Sequence, residues 1–308
     1  MSGGAAGSAG GGVAGTSGGA AGSAGAGGTG GVRPTQLFDP SRVYVQGRAD
    51  DSDCTTWVVA DPAKANEFEG GFPCQNANLT LRPVDGALLY ADQATRFKLW
   101  EPDYVATGFP PDPASNDIPV AAPSACVGAP SRAWFQAESD RIYFKCEGAV
   151  LSPEGQLELA SDSLLAVGNG GLLLTGDDTS LKLRNGALVT AVDAGSLPLN
   201  ALNIAAVRAV TSGFYVLLTP SGAKPDAAIS VKLDGTISRL SDYPTAPNGV
   251  TAVGSCQLEP SAAAVCLVEL GTARGIARFD PKTGLAELVY QEQPNRVQLA
   301  NARLFTGP

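Results

Sequence analysis

Few residue types in this chain could perform acid–base or nucleophilic chemistry, because histidine is absent from all 308 residues. Its absence excludes serine–histidine–aspartate and cysteine–histidine machinery, imidazole acid–base catalysis, and zinc or copper sites with imidazole ligands. A catalytic site would have to use carboxylates, lysine, tyrosine, arginine or a carboxylate-bound metal. Whether the chain is an enzyme therefore stays open from its residue types alone.

Two groups of carboxylates are candidates for an oxygen-ligated cation site. Asp50, Asp51 and Asp53 lie almost adjacent to one another, and Asp177-Asp178 falls where two predicted strands turn. Calcium accepts ligands of this kind. However, the first group lacks the spacing of a calcium-binding loop, so a solvated turn explains both groups better. We predict no cofactor, with calcium as the weaker alternative.

The longest irregular segment is the second candidate for function. Residues 108–123 include Pro110-Pro111-Asp112-Pro113 and then Asn116 and Asp117. Binding residues concentrate on loops that a rigid scaffold holds in place. We therefore take this segment as a candidate binding lip, and the alternative is an ordinary connection between two structural units.

Three tryptophans are candidates for stacking on sugars or peptides. They are Trp57, Trp100 and Trp134, and each lies in a short apolar run. Large aromatic side chains in strands contribute mainly to packing between sheets. We predict a core role for all three.

Six cysteines are spaced so that sequence neighbours fall within one predicted structural unit. We predict three local disulfide bonds, Cys54–Cys74, Cys126–Cys146 and Cys256–Cys266, although six cysteines allow 15 pairings. Cys256 and Cys266 flank a turn, where an antiparallel hairpin brings two residues within disulfide reach. A metal site is disfavoured, since the chain has neither a Cys-x-x-Cys motif nor histidine. Disulfide bonds indicate an exported protein in the periplasm, on the outer-membrane surface or outside the cell.

The elements that must position these residues are short apolar runs separated by turn residues. The clearest example is Ala262–Tyr290, where the runs AAAVCLVEL, RGIARF and LAELVY are separated by GTA and by Asp280-Pro281-Lys282-Thr283-Gly284. An earlier pair of runs is joined at Asp85-Gly86, which is a strong hairpin signal. The runs are too short for helices, so the sequence predicts an all-β protein.

Units of about four short strands recur along residues 34–308, which indicates a repeat architecture. The unit length fits a β-propeller blade of ~40–45 residues, and the ordered chain then holds about six blades, with seven as the alternative. The first unit lacks its first strand, whereas residues 296–305 form a lone strand near the C-terminus. Pairing of these two ends would close the ring. Two tandem β-sandwiches are the alternative architecture.

Residues 1–33 consist almost entirely of glycine, alanine, serine and threonine. Such a segment buries too little apolar surface to fold, so we predict a disordered, flexible tether. Its composition resembles the tethers of bacterial surface lipoproteins, which follow a lipidated cysteine. The sequence lacks that cysteine and the charged and apolar regions of a signal peptide. The resemblance therefore implies a lipid anchor upstream of residue 1 as the protein's membrane contact.

The turn Asp280–Gly284 resembles the D-P-x-T-G outer-hairpin turn of propellers with NHL-like, lactonase-like or quinoprotein-like blades. The resemblance covers one turn in one unit. It implies the propeller fold and identifies no catalytic residue.

The net charge of −9 disfavours nucleic acid as a partner, because an acidic surface repels phosphate backbones. We predict a monomeric, surface-tethered binding or scaffold protein with a protein or glycan ligand. A propeller-type hydrolase or lactonase, with a carboxylate-bound divalent metal in the axial channel, is the alternative. A purely structural envelope protein is a third hypothesis.

Overall fold

The computed structural model describes residues 38–48, 54–59, 68–73, 77–92, 96–100, 117–159, 163–193, 195, 197, 199–220, 222–294 and 298–308. The chain divides into two units, Met1–Arg33 and Pro34–Pro308, and every described residue belongs to the second unit. The predicted tether itself lies outside the described residues.

Short apolar runs ended by turn residues become strands throughout the described part of the chain. In order, these strands are β1 (Tyr44–Arg48), β2 (Cys54–Val59), β3 (Phe68–Pro73), β4 (Ala77–Leu81), β5 (Leu88–Asp92), β6 (Arg96–Trp100), β7 (Asp117–Val120), β8 (Arg132–Phe135), β9 (Ile142–Cys146), β10 (Ala149–Leu151), β11 (Leu157–Leu159), β12 (Ser163–Val167), β13 (Leu173–Gly176), β14 (Leu181–Asn185), β15 (Leu188–Ala191), β16 (Ile204–Val210), β17 (Gly213–Leu218), β18 (Ala227–Lys232), β19 (Ile237–Asp242), β20 (Ala252–Leu258), β21 (Ala264–Leu270), β22 (Ala273–Asp280), β23 (Leu285–Gln291) and β24 (Gln298–Phe305).

The described helices are two three-residue 3-10 turns, Asn169–Gly171 and Ala201–Asn203. Neither is long or apolar enough to cross a membrane.

The strands form six four-stranded antiparallel sheets. Five sheets use consecutive strands, namely β4–β7, β8–β11, β12–β15, β16–β19 and β20–β23, and the sixth has the order β24-β1-β2-β3. We call β4, β8, β12, β16, β20 and β24 the inner strands. Each inner strand contacts the next one, and β24 contacts β4, so the described sheets form a closed ring. The predicted all-β propeller is confirmed, and tandem sandwiches would not give this ring.

The hydrophobic core lies between neighbouring sheets. Six clusters of buried residues are present in the described part of the chain, and each joins two sheets that are adjacent in the ring. Side chains alternate between the two faces of a strand, so each sheet buries both faces against its neighbours. Each fully buried large apolar side chain contributes about 1.5–3 kcal/mol. Packing against remote strands therefore holds each sheet in place.

Closure of the ring joins the two ends of the propeller unit. β24 pairs with β1, with Tyr44 opposite Phe305, and the two aromatic rings stack with centroids 5.6 Å apart. Phe38 packs edge-on against both rings, at 5.0 Å from Tyr44 and 5.9 Å from Phe305. All three side chains are at most 3% exposed. The C-terminal strand is thus held by aromatic packing as well as by backbone hydrogen bonds.

The two best turn signals of the sequence form the expected hairpins. Asp85-Gly86 joins β4 to β5, and Gly86 has a positive φ of 77°. Arg82 donates to both carboxylate oxygens of Asp85, at 2.8 and 2.6 Å. Between β22 and β23, the Asp280 carboxylate accepts the backbone N–H groups of Lys282 and Thr283.

The placement of Asp117 in an irregular loop is wrong. Asp117 begins β7, and its partner in the register is Trp100 of β6. Pro119 concealed this strand, because proline cannot donate a ladder hydrogen bond and is disfavoured in sheet interiors. The structure tolerates it because β7 is the last strand of its sheet. Asp112 and Asn116 lie outside the described residues.

Candidate functional site: the axial channel

Among the described residues, the inner strands contribute to the walls of three cavities that share lining residues, and we interpret these cavities as parts of one axial channel. The cavity at the end where the inner strands begin, here called the channel mouth, has a volume of about 420 Å³. It shares Arg132, Trp134, Leu165 and Val207 with a middle cavity of about 140 Å³. The middle cavity shares Asn78 and Leu79 with a third cavity of about 250 Å³.

Irregular pairing of the inner strands shapes the channel wall. The register shifts within β4, β12, β16 and β20 where these strands pair with their neighbours. A bulge bends its strand and redirects a side chain. Residues at these shifts line the cavities: Asn78, Leu79, Leu165, Ala205 and Ser255. By contrast, β8 pairs with β9 without any shift.

The regular pairing of β8 with β9 places polar groups on one face. Arg132 lies directly opposite Lys145, and Trp134 lies directly opposite Tyr143. Alternation puts Arg132 and Trp134 on the same face of β8. Both, together with Lys145, line the channel mouth.

Arg132 stacks on the indole ring of Trp134, with the guanidinium carbon 4.8 Å from the ring centroid. Such a contact is a cation–π interaction. The Arg132 side chain keeps contact with solvent in the mouth, yet the surrounding protein lowers its pKa below the ordinary value by desolvation. The structure thus holds a cation in place at the channel wall.

Trp134 also belongs to the core, as predicted. It is 9% exposed and packs with Tyr143, Leu164 and Leu173 in the cluster between two neighbouring sheets. Its indole N–H is buried without a hydrogen-bond acceptor in the structure. The side chains of Trp57 and Trp100 lie outside what the structure describes.

Asp177 and Asp178 line the channel mouth, but Asp177 is already engaged by protein donors. Its carboxylate accepts from Lys182 Nζ at 2.9 Å and from the backbone N–H groups of Thr179 and Ser180. The Lys182 hydrogen bond, followed by those of Thr179, holds the pKa of Asp177 well below its usual range. The pair therefore forms a turn, in agreement with the sequence interpretation.

The described residues contain no group of three or more histidine, cysteine, aspartate or glutamate side chains that could hold a metal ion. The middle and third cavities are lined by no carboxylate side chain among these residues. Their polar lining includes Asn78, Gln257 and Arg303 instead. Asp50, Asp51 and Asp53 lie outside the described residues.

Two of the three predicted disulfide bonds are present. Cys126–Cys146 ties the segment before β8 to the end of β9, and Cys256–Cys266 joins directly opposed residues of β20 and β21. The third predicted pair, Cys54–Cys74, lies outside what the structure describes, since Cys74 and the side chain of Cys54 are not among the described parts of the chain.

The cavity on the opposite face of the ring is larger, at about 590 Å³, and is lined in part by Pro40, Pro83 and Pro260. Its buried cation, Arg208, donates to the backbone carbonyls of Leu258 and Pro40. These hydrogen bonds engage the guanidinium with the protein backbone, so we assign Arg208 a structural role. The channel mouth is therefore the better candidate site.

Sequence reasoning missed Arg132 and Lys145. A usable signal was present, since Ser139-Asp140 is a pair of turn-forming residues near the midpoint between them. A regular hairpin about that midpoint places the two residues opposite each other.

No protein-family model matches this chain, and neither does any curated protein sequence. Among solved structures, a protein of unknown function from Bacteroides caccae is 10% identical, with a TM-score of 0.45 over 86% of this chain and 98% of that one. A putative TolB from Agrobacterium tumefaciens is 10% identical, with a TM-score of 0.44 over 83% and 90%. The WD40 β-propeller domain of Doa1 is 13% identical, with a TM-score of 0.41 over 79% and 80%. These likenesses give no support to a lipoprotein tether.

Proposed function

We propose that this chain is an exported binding protein whose ligand occupies the channel mouth. The observation that carries the proposal is a cavity of about 420 Å³ whose wall presents Arg132 and Lys145 without ion-pair partners among the described residues. Small-molecule sites have volumes of roughly 300–1,000 Å³ and few, well-placed polar groups. The mouth matches this pattern in size, and its lining is more polar than that of a typical site.

Export is proposed from the two disulfide bonds. Cys126–Cys146 and Cys256–Cys266 both require an oxidising environment in order to persist. The expected locations are the periplasm, the outer-membrane surface and the medium. Thiol labelling of the native protein followed by intact mass measurement tests this point, since a cytoplasmic protein would show free thiols at these positions.

The hydrolase alternative requires several carboxylate or amide groups that converge on one divalent ion. The described residues of the middle cavity offer the amides Asn78 and Gln257 without a carboxylate side chain. The mouth adds Asp177, which Lys182 already binds, and Asp178. Thermal unfolding with added calcium, and then with EDTA, separates the two functions. We expect no shift for a binding protein, and a calcium-dependent shift that EDTA reverses would favour the metal-dependent enzyme.

A ligand screen tests the binding function directly. We would measure the thermal stability of the full chain against a library of acidic, neutral and basic small molecules and oligosaccharides. Ser163 is exposed and lines the channel mouth, so Ser163→Trp should abolish the shifts of true ligands by filling the cavity. Thr283→Trp, on an exposed outer turn, is the matched control. Hits that survive in Ser163→Trp would contradict the proposed location.

A further inference from the structure

The channel mouth contains two like charges that the sheet brings face to face. Arg132 of β8 is directly opposite Lys145 of β9 in the register, and both line the mouth. Directly opposed residues of an antiparallel pair have neighbouring side chains, and like charges in these positions destabilise the sheet. Strand pairing alone therefore gives no physical reason for this arrangement.

Neither cation is neutralised by a protein carboxylate among the described residues. Asp177 on the facing wall is bound by Lys182 at 2.9 Å. Asp178 is exposed and forms no ion pair with either Arg132 or Lys145. The mouth thus presents two unpaired positive charges in a protein whose net charge is −9.

Arg132 is also positioned in advance of any ligand. Its guanidinium lies against the ring of Trp134, which is 9% exposed and fixed by the core around it. A planar guanidinium held in this way loses less conformational freedom when it forms hydrogen bonds.

We infer that the ligand of the channel mouth carries an oxyanion that Arg132 and Lys145 bind together. This inference rests on the proposed function, because it names the chemical class of ligand for the same cavity. Arginine binds both oxygens of a carboxylate or phosphate through its fork, while lysine adds a compact point charge. Bound anion would also remove the repulsion between the two opposed cations.

The experiment is isothermal titration calorimetry of the full chain at low ionic strength, with citrate and inorganic phosphate as the probes. We expect Arg132→Gln and Lys145→Gln each to lower the affinity about tenfold or more, since each removes a charge-assisted contact. Lys282→Gln removes an exposed charge from a remote turn and should leave the affinity unchanged. Asp178→Asn removes a negative charge from the mouth, so it should raise the affinity.

The indole resonances provide a second readout. Trp134→Phe identifies the Trp134 signal in a nitrogen-15 spectrum, and this signal should shift when either probe binds. A larger affinity for citrate assigns the site to carboxylates, whereas a larger affinity for phosphate assigns it to phosphate groups. Salt should weaken binding in both cases, because solvent ions screen exposed charges.

Two outcomes would overturn the inference. One is the absence of binding by either probe to the unmodified protein. The other is equal affinity in Arg132→Gln, Lys145→Gln and Lys282→Gln, with all three folded by thermal unfolding. In both cases, library hits that Ser163→Trp blocks would still support the mouth as the binding site. Failure of the oxyanion inference is therefore distinguishable from failure of the proposed function.

Discussion

The guanidinium of Arg208 donates a hydrogen bond of 2.6 Å to the hydroxyl oxygen of Thr306, across 98 positions of the sequence. The same guanidinium donates to the carbonyls of Leu258 at 3.0 Å and Pro40 at 2.7 Å. The Thr306 hydroxyl in turn donates to the carbonyl of Arg42. Arg208 is 5% exposed, and burial lowers its pKa to about 10. One side chain of β16 therefore ties together the segments that close the ring.

Replacement of Arg208 should destabilise the propeller more than any surface ion pair does. Arg208→Met keeps most of the apolar side chain but removes the guanidinium donor from the buried carbonyl of Leu258, while the carbonyl of Pro40 keeps the backbone N–H of Gly307 at 3.3 Å. We expect a loss of about 2–4 kcal/mol in the free energy of unfolding. Arg239→Met, which removes the exposed pair with Asp242, should cost about 0–1 kcal/mol. Urea unfolding measures both losses. Equal losses would contradict the role of Arg208 in holding together the segments that close the ring.

Removal of either disulfide bond should lower the free energy of unfolding, because the unfolded chain then has more conformational entropy. The bonds close loops with sequence separations of 20 and 10 for Cys126–Cys146 and Cys256–Cys266. The chain-entropy model gives about 3 kcal/mol for each. The measurement is urea unfolding of two double variants, Cys126→Ser with Cys146→Ser and Cys256→Ser with Cys266→Ser. Peptide mapping of the unreduced protein accompanies it. Free thiols at all four positions in the native protein would refute the prediction.

Gly213 should tolerate no side chain. Its φ is 138°, and a Cβ atom there would lie 2.0 Å from the carbonyl oxygen of Val231. We expect Gly213→Ala to destabilise the protein by about 3 kcal/mol or more, because the backbone of β17 or β18 must move. Gly186→Ala is the matched control, since its positive φ of 57° comes with open space around the Cβ position. That variant should lose only about 1 kcal/mol, and similar losses would show that close packing at Gly213 does not matter.

Asp280 should contribute to stability in a pH-dependent way. Desolvation would raise the pKa of Asp280, but the backbone N–H groups of Lys282 and Thr283 and the charge of Arg278 lower it overall. The folded state therefore favours the carboxylate, so its stabilisation is complete above the unfolded pKa of about 3.9 and disappears as the pH falls through the folded pKa.

Asp280→Asn keeps an acceptor oxygen for the turn but removes the charge. We expect it to be about 1–2 kcal/mol less stable than the unmodified protein at neutral pH. The difference should narrow as the pH falls from about 5 to about 2. Urea midpoints across this range provide the test, with Asp178→Asn as the control for an exposed carboxylate without an ion pair. A difference that is constant with pH would rule out the charge as its source.

Local physics made much of the fold predictable. Asp85-Gly86 and Asp280–Gly284 encode their hairpins through a positive φ at glycine and through side-chain acceptors for turn N–H groups. Cys256 and Cys266 lie symmetrically about a turn, so antiparallel pairing brings them together. The lone C-terminal strand and the incomplete first unit also indicated how the ring closes. All these features depend on residues that are close in sequence or on a count of strands.

Other features required the assembled ring. β7 forms despite Pro119 because it occupies a sheet edge, and edge position follows from strand order rather than from composition. Ring closure buries Arg208 against Pro40 and Thr306, which local sequence cannot reveal.

The candidate site likewise combines features that the sequence determined with features that only the tertiary structure decided. The sequence by itself determined that the chain builds antiparallel hairpins, that it has no histidine chemistry and that Cys126–Cys146 and Cys256–Cys266 pair. The tertiary structure decided which side chains meet at the channel mouth. Arg132 and Lys145 share that cavity with Ser163 and Leu202 because inner strands from different sheets converge there. That convergence depends on burial between sheets, which acts between residues remote in sequence and leaves no local pattern.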